Sequence, residues 1–365
     1  MTPREAWLWL AAALGPAASN AGEVLRALEE MDDAPLRGGP FPRALLNLLT
    51  PRQRQALART KPADLAPLLA RCRELDIRVT CWDEEEYPAL LRQIPSPPPV
   101  LYWRGDIALA EGFTIAIIGT RRPSAYGVEA TAKIAGDLTQ AGAVLVSGMA
   151  DGLDSEGHKA ALRAGTPTIA CIAFGHDHCY PAANRQLKEL IERHGLVIGE
   201  YPPGTEPQPH FFLQRNRLIA GLSKGVCVAE ARRRSGTMST AHMALDWNRE
   251  VFSVPGNIFS PLCEGTNRLL QEGAYPATCG ADILIRFNLF EELAPAEGQA
   301  PGPCPDVPLT AEAKAMRGAL TFAPQGLDAL CAATGLAPGQ AMAALTCLEL
   351  AGISRQLAGR QFVLK

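Results

Sequence analysis

At 365 residues with 47% hydrophobic side chains, the chain can bury the core of one substantial α/β domain and one or two small ones. A formal net charge of −3 excludes a protein that coats a polyanion by bulk charge, so any such site must be a local arrangement of cations. Ten cysteines without a CxxC pair fit reduced thiols and a cytoplasmic protein better than a disulfide framework, and no apolar run reaches the roughly eighteen residues of a membrane span.

The N-terminal "AWLWLAAALGPAAS" has only Arg4 before it, offset by Glu5, and amphipathic sequence after it, so it is expected to be a core helix rather than a secretory segment. "GEVLRALEEM", "PRALLNLL" and "PADLAPLLARCREL" repeat Leu and Ala at three- and four-residue spacings, which predicts a small helical domain, of the SAM or helix–hairpin–helix kind, over 1–80. Gly38 and Gly39 lie in "LRGGPFP" without a clear hairpin pattern. The Pro-rich "EEEYPALLRQIPSPPPVLYWRGD" is a connector that turns strand-like at Val100 to Trp103.

From Thr114 the period changes to short apolar strands alternating with helices. Strands are expected at Thr114–Ile118, Ala143–Ser147, Thr168–Phe174, Leu196–Tyr201, Gly225–Ala229 and Val251–Val254, with helices beginning near Tyr126, Ser155, Asn184, Phe212 and Met238. That alternation predicts an α/β fold, a Rossmann-like, doubly wound and mostly parallel sheet within 81–291. Residues 292–308 hold five prolines and no apolar period, a linker. Three helical patterns and a hairpin around Gly359 make 309–365 a winged-helix-like unit.

Ligands of such a sheet sit beyond the carboxyl ends of its strands. The loops there are "GTRRPSAYG", "SGMADGLD", "GHDHCYPAAN", "YPPGTEPQPHFF", "EARRRSGTMST" and "PGNIF", and the same edge collects Arg121, Arg122, Arg185, Arg215, Arg217, Arg232, Arg233 and Arg234. The first turn lacks GxGxxG, since Arg121 and Ser124 stand where a buried pyrophosphate needs glycine, so no nicotinamide or flavin cofactor is expected. Gly119, Thr120, Arg121 and Ser124 could hold phosphate oxygens instead, or Arg121 could pair with a carboxylate while Ser124 caps a helix. Ser235, Gly236 and Thr237 form a second glycine–hydroxyl turn at a helix start, and Ser147 with Gly148 offer a third beside Asp151. Asp154 and His158, at i and i+4, fit acid–base work less well than a cap with a bonded histidine. His176 to Cys179 diverge in direction and lack a second ligand cluster, so no metal is expected.

The motifs "IAIIGTRRPSAYG", "VLVSGMADGLDSEGHKAAL", "YPAANRQL", "GEYPPGTEPQPHFFLQRNRLIAGLS", "VAEARRRSGTMSTA" and "VFSVPGN" resemble, in order and approximate spacing, those of the DNA-processing protein A (DprA, or Smf) family, over nearly the whole chain. The resemblance implies a cytoplasmic protein, not an enzyme, that binds single-stranded DNA without sequence preference, dimerises through its Rossmann-like domain, and loads RecA recombinase in natural transformation and recombination. It implies phosphate binding by the first turn and by a pocket that includes Arg215, Asn216 and Arg217. Three departures stand out: Asp151 where many members are basic, Leu213 where proline usually precedes "QRNR", and Ala182 in place of lysine, leaving Arg185 or Lys188 to supply the charge.

Base stacking falls to Tyr180, Phe211 and Phe212, with Tyr126 also near. The C-terminal unit has five Lys/Arg and three Asp/Glu over 310–365, and its recognition-position helix "GQAMAALTCLEL" carries only Glu349, which favours an accessory role over major-groove reading. The alternative from another class is a Rossmann-like pocket binding or processing a small phosphorylated nucleotide, with Asp154, His158 and Glu230 as its polar groups.

Overall fold

The computed structural model describes residues 2–31, 36, 42–60, 65–289, 309–357 and 360–364; the expected linker 292–308 and Gly38, Gly39 and Gly359 lie outside them. Helix α1 (Pro3–Leu14) starts on a reciprocal cap, in which the Thr2 hydroxyl accepts from the Glu5 amide at 3.3 Å and the Glu5 carboxylate accepts from the Thr2 amide at 2.7 Å. It carries the apolar N-terminal stretch and buries Trp7, Leu8 and Leu10. Helices α2 (Ala21–Glu30), α3 (Arg43–Leu48), α4 (Pro51–Arg59) and α5 (Ala66–Glu74) complete this unit.

Strand β1 (Arg78–Cys81) runs across the boundary expected at residue 80, and after α6 (Ala89–Arg92) it pairs antiparallel with β2 (Val100–Gly105). The Trp103 indole donates to the Thr80 hydroxyl at 2.8 Å, which satisfies both in the interior. The doubly wound segment is β3 (Thr114–Ile118), α7 (Ala125–Gln140), β4 (Val144–Ser147), α8 (Leu153–Arg163), β5 (Thr168–Ile172), α9 (Arg185–His194), β6 (Leu196–Gly199), α10 (Pro209–Gly221) and β7 (Gly225–Val228). It continues through α11 (Gly236–Asp246), β8 (Glu250–Ser253), α12 (Glu264–Gln271), β9 (Tyr275–Pro276) and α13 (Gly280–Arg286). All six expected strands form. Two of them stop two residues early, because Ile172 opposite Gly199 is the last pair of the β5–β6 ladder.

The sheet has nine strands in the order β1-β2-β6-β5-β4-β3-β7-β8-β9, parallel from β6 to β9. Residues 78–105 thus add an antiparallel strand pair to one edge, of which the sequence pattern showed only Val100 to Trp103. Successive residues of β3 point to opposite faces. Ala116 and Ile118 pack on one face with Leu218 of α10, in a core continuous with Trp7 and Leu25 of the helical unit. Ile115 and Ile117 pack on the other with Ile134, Leu138 and Leu153 of α7 and α8. Each such fully buried side chain contributes about 1.5–3 kcal/mol, so Ile117→Ala would cost about 2–5 kcal/mol.

The chain order reverses between β3 and β7, whose ends form the switch point where open sheets bind ligands. Beyond 308, α14 (Ala311–Ala319), β10 (Gln325–Gly326), α15 (Leu327–Thr334), α16 (Pro338–Leu350), β11 (Ser354–Leu357) and β12 (Gln361–Leu364) form the winged helix around Met316, Leu330, Leu345 and Phe362. Its helix α16 lies against the doubly wound domain. Leu350 packs with Leu162, Leu187 and Ile191 of α8 and α9.

Candidate nucleic-acid interface

The first turn follows β3 because the strand's apolar run ends at Gly119, where a side chain would have to occupy the place of Leu153. Ser124 caps α7, its hydroxyl accepting from the Gly127 amide at 3.1 Å. The same hydroxyl donates to a carboxylate oxygen of Glu230, whose other oxygen accepts from the Ser124 amide at 3.0 Å. Glu230 is 1% exposed. The start of α7 therefore already holds an anion, an internal one from the end of β7, and Ser124 is corrected from phosphate ligand to partner of Glu230.

The second loop is likewise closed from within. Asp154, buried, accepts from the Gly148 amide at 3.2 Å and also from the amides of Gly119 and Ala150. Burial pushes its carboxyl above the ordinary range, against the pull of Arg215 and of those amides. Ser147 donates to the Ile117 carbonyl at 2.6 Å and is buried, so it is removed from the phosphate set. Gly148 belongs to packing too, because a side chain there would collide with the Arg215 guanidinium.

Arg215 and Arg217 are corrections of a second kind. Both were expected to face phosphate, and both are buried on α10. Arg215 donates to the carbonyls of Gly148, at 2.5 Å, and Cys171, while Arg217 pairs with buried Glu200 at 2.5 Å. Helix α10 packs one side on the sheet, and these two guanidiniums are the polar groups it drives inward, each with a partner there. Asn216 between them donates to the Gly236 carbonyl at 3.3 Å. His158 is buried as well, bonded through Nδ1 to the Thr168 hydroxyl at 2.8 Å, and burial followed by the charge of Arg215 lowers its pKa to about 3. The polar groups of the nucleotide-enzyme alternative, Asp154, His158 and Glu230, are thus all interior and internally bonded.

The remaining candidates reach solvent. Arg121, Arg122 and Arg185 are exposed, as are Arg232, Arg233 and Arg234, and among the described residues no ion pair holds any of them. They rise from the ends of β3, β5 and β7, and β5, β4, β3 and β7 are neighbours. Three steps of roughly 4.8 Å make a track about 14 Å wide before the loops add their own reach. Asp151, exposed on the β4 loop, interrupts it. Thr120 and Thr237 are half-buried beside the track, Thr237 donating to the Gly119 carbonyl at 3.1 Å. Ser235 caps α11 through the Met238 amide at 3.4 Å, and Leu213, 58% exposed, lies over Gly236. Ala182 is exposed but offers no charge, and Lys188 turns inward to the His176 carbonyl at 2.7 Å and to Glu192, so Arg185 alone of the two reaches solvent there.

Aromatic side chains border the same edge. The Arg121 guanidinium lies 5.4 Å from the centre of the Phe212 ring, and Tyr180, 46% exposed, meets that ring at 5.2 Å. Phe211 instead packs on Tyr201 at 4.5 Å. The structure therefore brings Arg121, Phe212 and Tyr180 together and leaves Phe211 in a packing role. The sequence offered one signal for the exposed set, the adjacent arginines at 121–122 and 232–234. It offered none for Glu230 as the internal anion, whose partner is 106 positions away.

A family model described as DNA recombination-mediator protein A matches residues 78–288, and one described as DprA winged helix domain matches 300–360. The chain is 40% identical to DNA processing protein DprA of Bacillus subtilis over 230 residues, 63% of this chain and 75% of that protein. It is 35% identical to Protein Smf of Synechocystis over 311 residues, 77% of this chain and 78% of that protein. The X-ray structure of DNA processing protein A from Streptococcus pneumoniae is similar at a TM-score of 0.66 and 32% identity, covering 78% of this chain and 98% of that one. The structure of DNA processing protein A from Helicobacter pylori, described for its single-stranded DNA binding mode, is similar at a TM-score of 0.53 and 32% identity, covering 58% and 96%.

Proposed function

The chain belongs to the DNA recombination-mediator protein A family, and from that premise we propose that it grips the backbone of single-stranded DNA along the strand-end track and passes the strand to a RecA recombinase. The observation that carries this is the row of exposed arginines, Arg121, Arg122, Arg185 and Arg232 to Arg234, at the switch point of the sheet. The single-stranded DNA binding of the Helicobacter pylori relative supports it. The ligands are Gly119, Thr120, Arg121, Arg122, Arg185 and Ser235 to Thr237, with Tyr180 and Phe212 as stacking surfaces. The protein acts without catalysis, as a cytoplasmic homodimer, with a helical unit and a winged helix flanking the DNA-binding domain.

Arginines on loops bind a polymer's phosphates from outside, which explains why the first turn carries guanidiniums where a buried dinucleotide needs glycine. Backbone contact without base-edge contact gives little sequence preference over most of the strand and a steep salt dependence. The test is fluorescence anisotropy of a labelled single strand and a matched duplex across a salt series. Arg121→Ala and Arg122→Ala should each weaken single-strand binding and reduce the log–log salt slope by about 0.7 for each phosphate that is no longer neutralised. Binding indifferent to both variants overturns the assignment of the track. Loading is read separately, as a shortened lag in RecA filament growth on DNA covered by a competing single-strand-binding protein, and an unchanged lag overturns that part.

A further inference from the structure

Helix α16 of the winged helix meets the doubly wound domain at the base of one loop of the track. It packs against the short 3-10 turn Ala182–Asn184 and against α9, and that turn has Tyr180 just before it and Arg185 just after it. Resting on the single-stranded DNA reading above, we propose that α16 is a positioning element for this loop, acting through Cys347, Glu349 and Leu350, so that docking of the winged helix and grip on the strand are coupled.

The loop is held from two directions. Gln186, in the first turn of α9, hydrogen-bonds Cys347, and Leu187 is buried with Leu350. On the neighbouring α8, buried Lys159 fixes the same end of α16 through Glu349 at 2.6 Å. Asn184, 4% exposed, instead donates to the Met149 carbonyl at 3.0 Å and to the Ser155 hydroxyl at 2.8 Å, which ties the turn to the loop after β4. Residues 184, 186 and 187 are thus committed to packing partners. Successive residues of a helix point about 100° apart, so Arg185 is left the direction that none of its neighbours takes, and it is exposed.

The contacts continue to the first loop. Tyr180 meets the Phe212 ring at 5.2 Å, and that ring lies 5.4 Å from the Arg121 guanidinium. A shift of the turn therefore moves Tyr180 and Arg185 directly and Arg121 through Phe212. Arg232 to Arg234 rise from the end of β7, on the far side of β3 from this turn. Helix α16 itself offers a phosphate nothing, since its one charge is Glu349, buried and engaged with Lys159. Its contribution to binding passes through the loop, and by linkage whatever affinity docking adds to DNA, DNA adds to docking.

The test is anisotropy of a labelled thymidine oligonucleotide with the full chain. Glu349→Leu removes a negative charge and leaves Lys159 unpaired in the interior, so charge alone would tighten binding. Positioning predicts the reverse, binding weaker by about fivefold or more, and largely restored when Lys159→Met is added and the net charge returns to that of the unaltered chain. In a background of Arg185→Ala with Tyr180→Ala the effect of Glu349→Leu should mostly vanish, whereas with Arg232→Ala it should be complete. Unchanged or tighter binding by a folded Glu349→Leu chain overturns the coupling and leaves the track standing. Hydrogen exchange reads the same coupling without that variant. The amides of Leu345 to Leu350, all in buried residues, should exchange more slowly when the unaltered chain is saturated with the oligonucleotide, and Arg185→Ala with Tyr180→Ala, equally saturated, should lose that protection. Exchange there that is indifferent to DNA overturns the coupling, and failure of the unaltered chain to bind any oligonucleotide overturns the track and the coupling together.

Discussion

Lys159 on α8 and Glu349 on α16 form an ion pair at 2.6 Å with both side chains buried, and it joins the doubly wound domain to the winged helix. The second Glu349 oxygen accepts from the Gln356 amide at 2.7 Å, so the carboxylate is bonded on both sides. The helix that a winged helix would present to a duplex is here turned toward its own chain, with Leu350 in the core of α8 and α9. The weak charge of α16 in the sequence agrees with this placement.

Removing one partner of that pair leaves the other charge buried and alone. Lys159→Met should cost about 3–5 kcal/mol in denaturant unfolding, and Lys159→Met combined with Glu349→Leu should recover a large part of it. Additive losses in the double-variant cycle would contradict the coupling. Burial by itself would lower the Lys159 pKa, but Glu349 and Glu156 outweigh it and hold it above the ordinary 10.5. The contribution of the Lys159 charge is therefore complete below the ordinary 10.5 and is lost as the pH rises through that raised value.

Asp151 sits exposed in the middle of the arginine track. Replacing it by alanine removes a like charge from the path of the phosphates and should tighten single-strand binding about two- to fivefold at low salt, with the gain shrinking as salt is added. A gain independent of salt would mean that the change acts through loop shape.

Arg217 and Arg121 separate fold from binding. Arg217→Met leaves Glu200 buried without its guanidinium and should lower stability by about 3–5 kcal/mol, read as a shift of the urea midpoint. Arg121→Ala, at an exposed side chain, should leave the midpoint within about 0.5 kcal/mol and act on DNA affinity alone. The reverse pattern would refute the division of the arginines into interior and surface sets.

His158 predicts an acid dependence. Its pKa in the folded chain is about 3 against an ordinary 6.5, so the unfolded chain binds the proton first as the pH falls. The stability contributed by the neutral imidazole is complete above pH 6.5 and declines toward pH 3, by about 1.4 kcal/mol per pH unit at most. Asp154, raised by burial, titrates with the opposite sign, so the comparison needed is between the unaltered chain and His158→Gln. Over that interval the unaltered chain should lose ground to the variant, and parallel curves would show that the imidazole is not held neutral.

The order of strands and helices was legible because it rests on local periods. The run from Thr114 to Ile118, a threonine and four apolar residues ended by Gly119, forms a strand in any context that covers both faces, and Ser124 and Ser235 cap helices through neighbours three residues away. The exposed arginines of the first and fifth strand-end loops were legible for the same reason, since a charge on a loop has nowhere else to go. What each polar group of those loops bonds was decided only when distant segments met. Arg215 finds Gly148 across 67 positions, and Glu230 reaches Ser124 across 106, so groups that suit a phosphate in sequence are spent on one another in the fold. A buried donor or acceptor must be satisfied by whatever tertiary packing brings near, and no local pattern records which partner that will be.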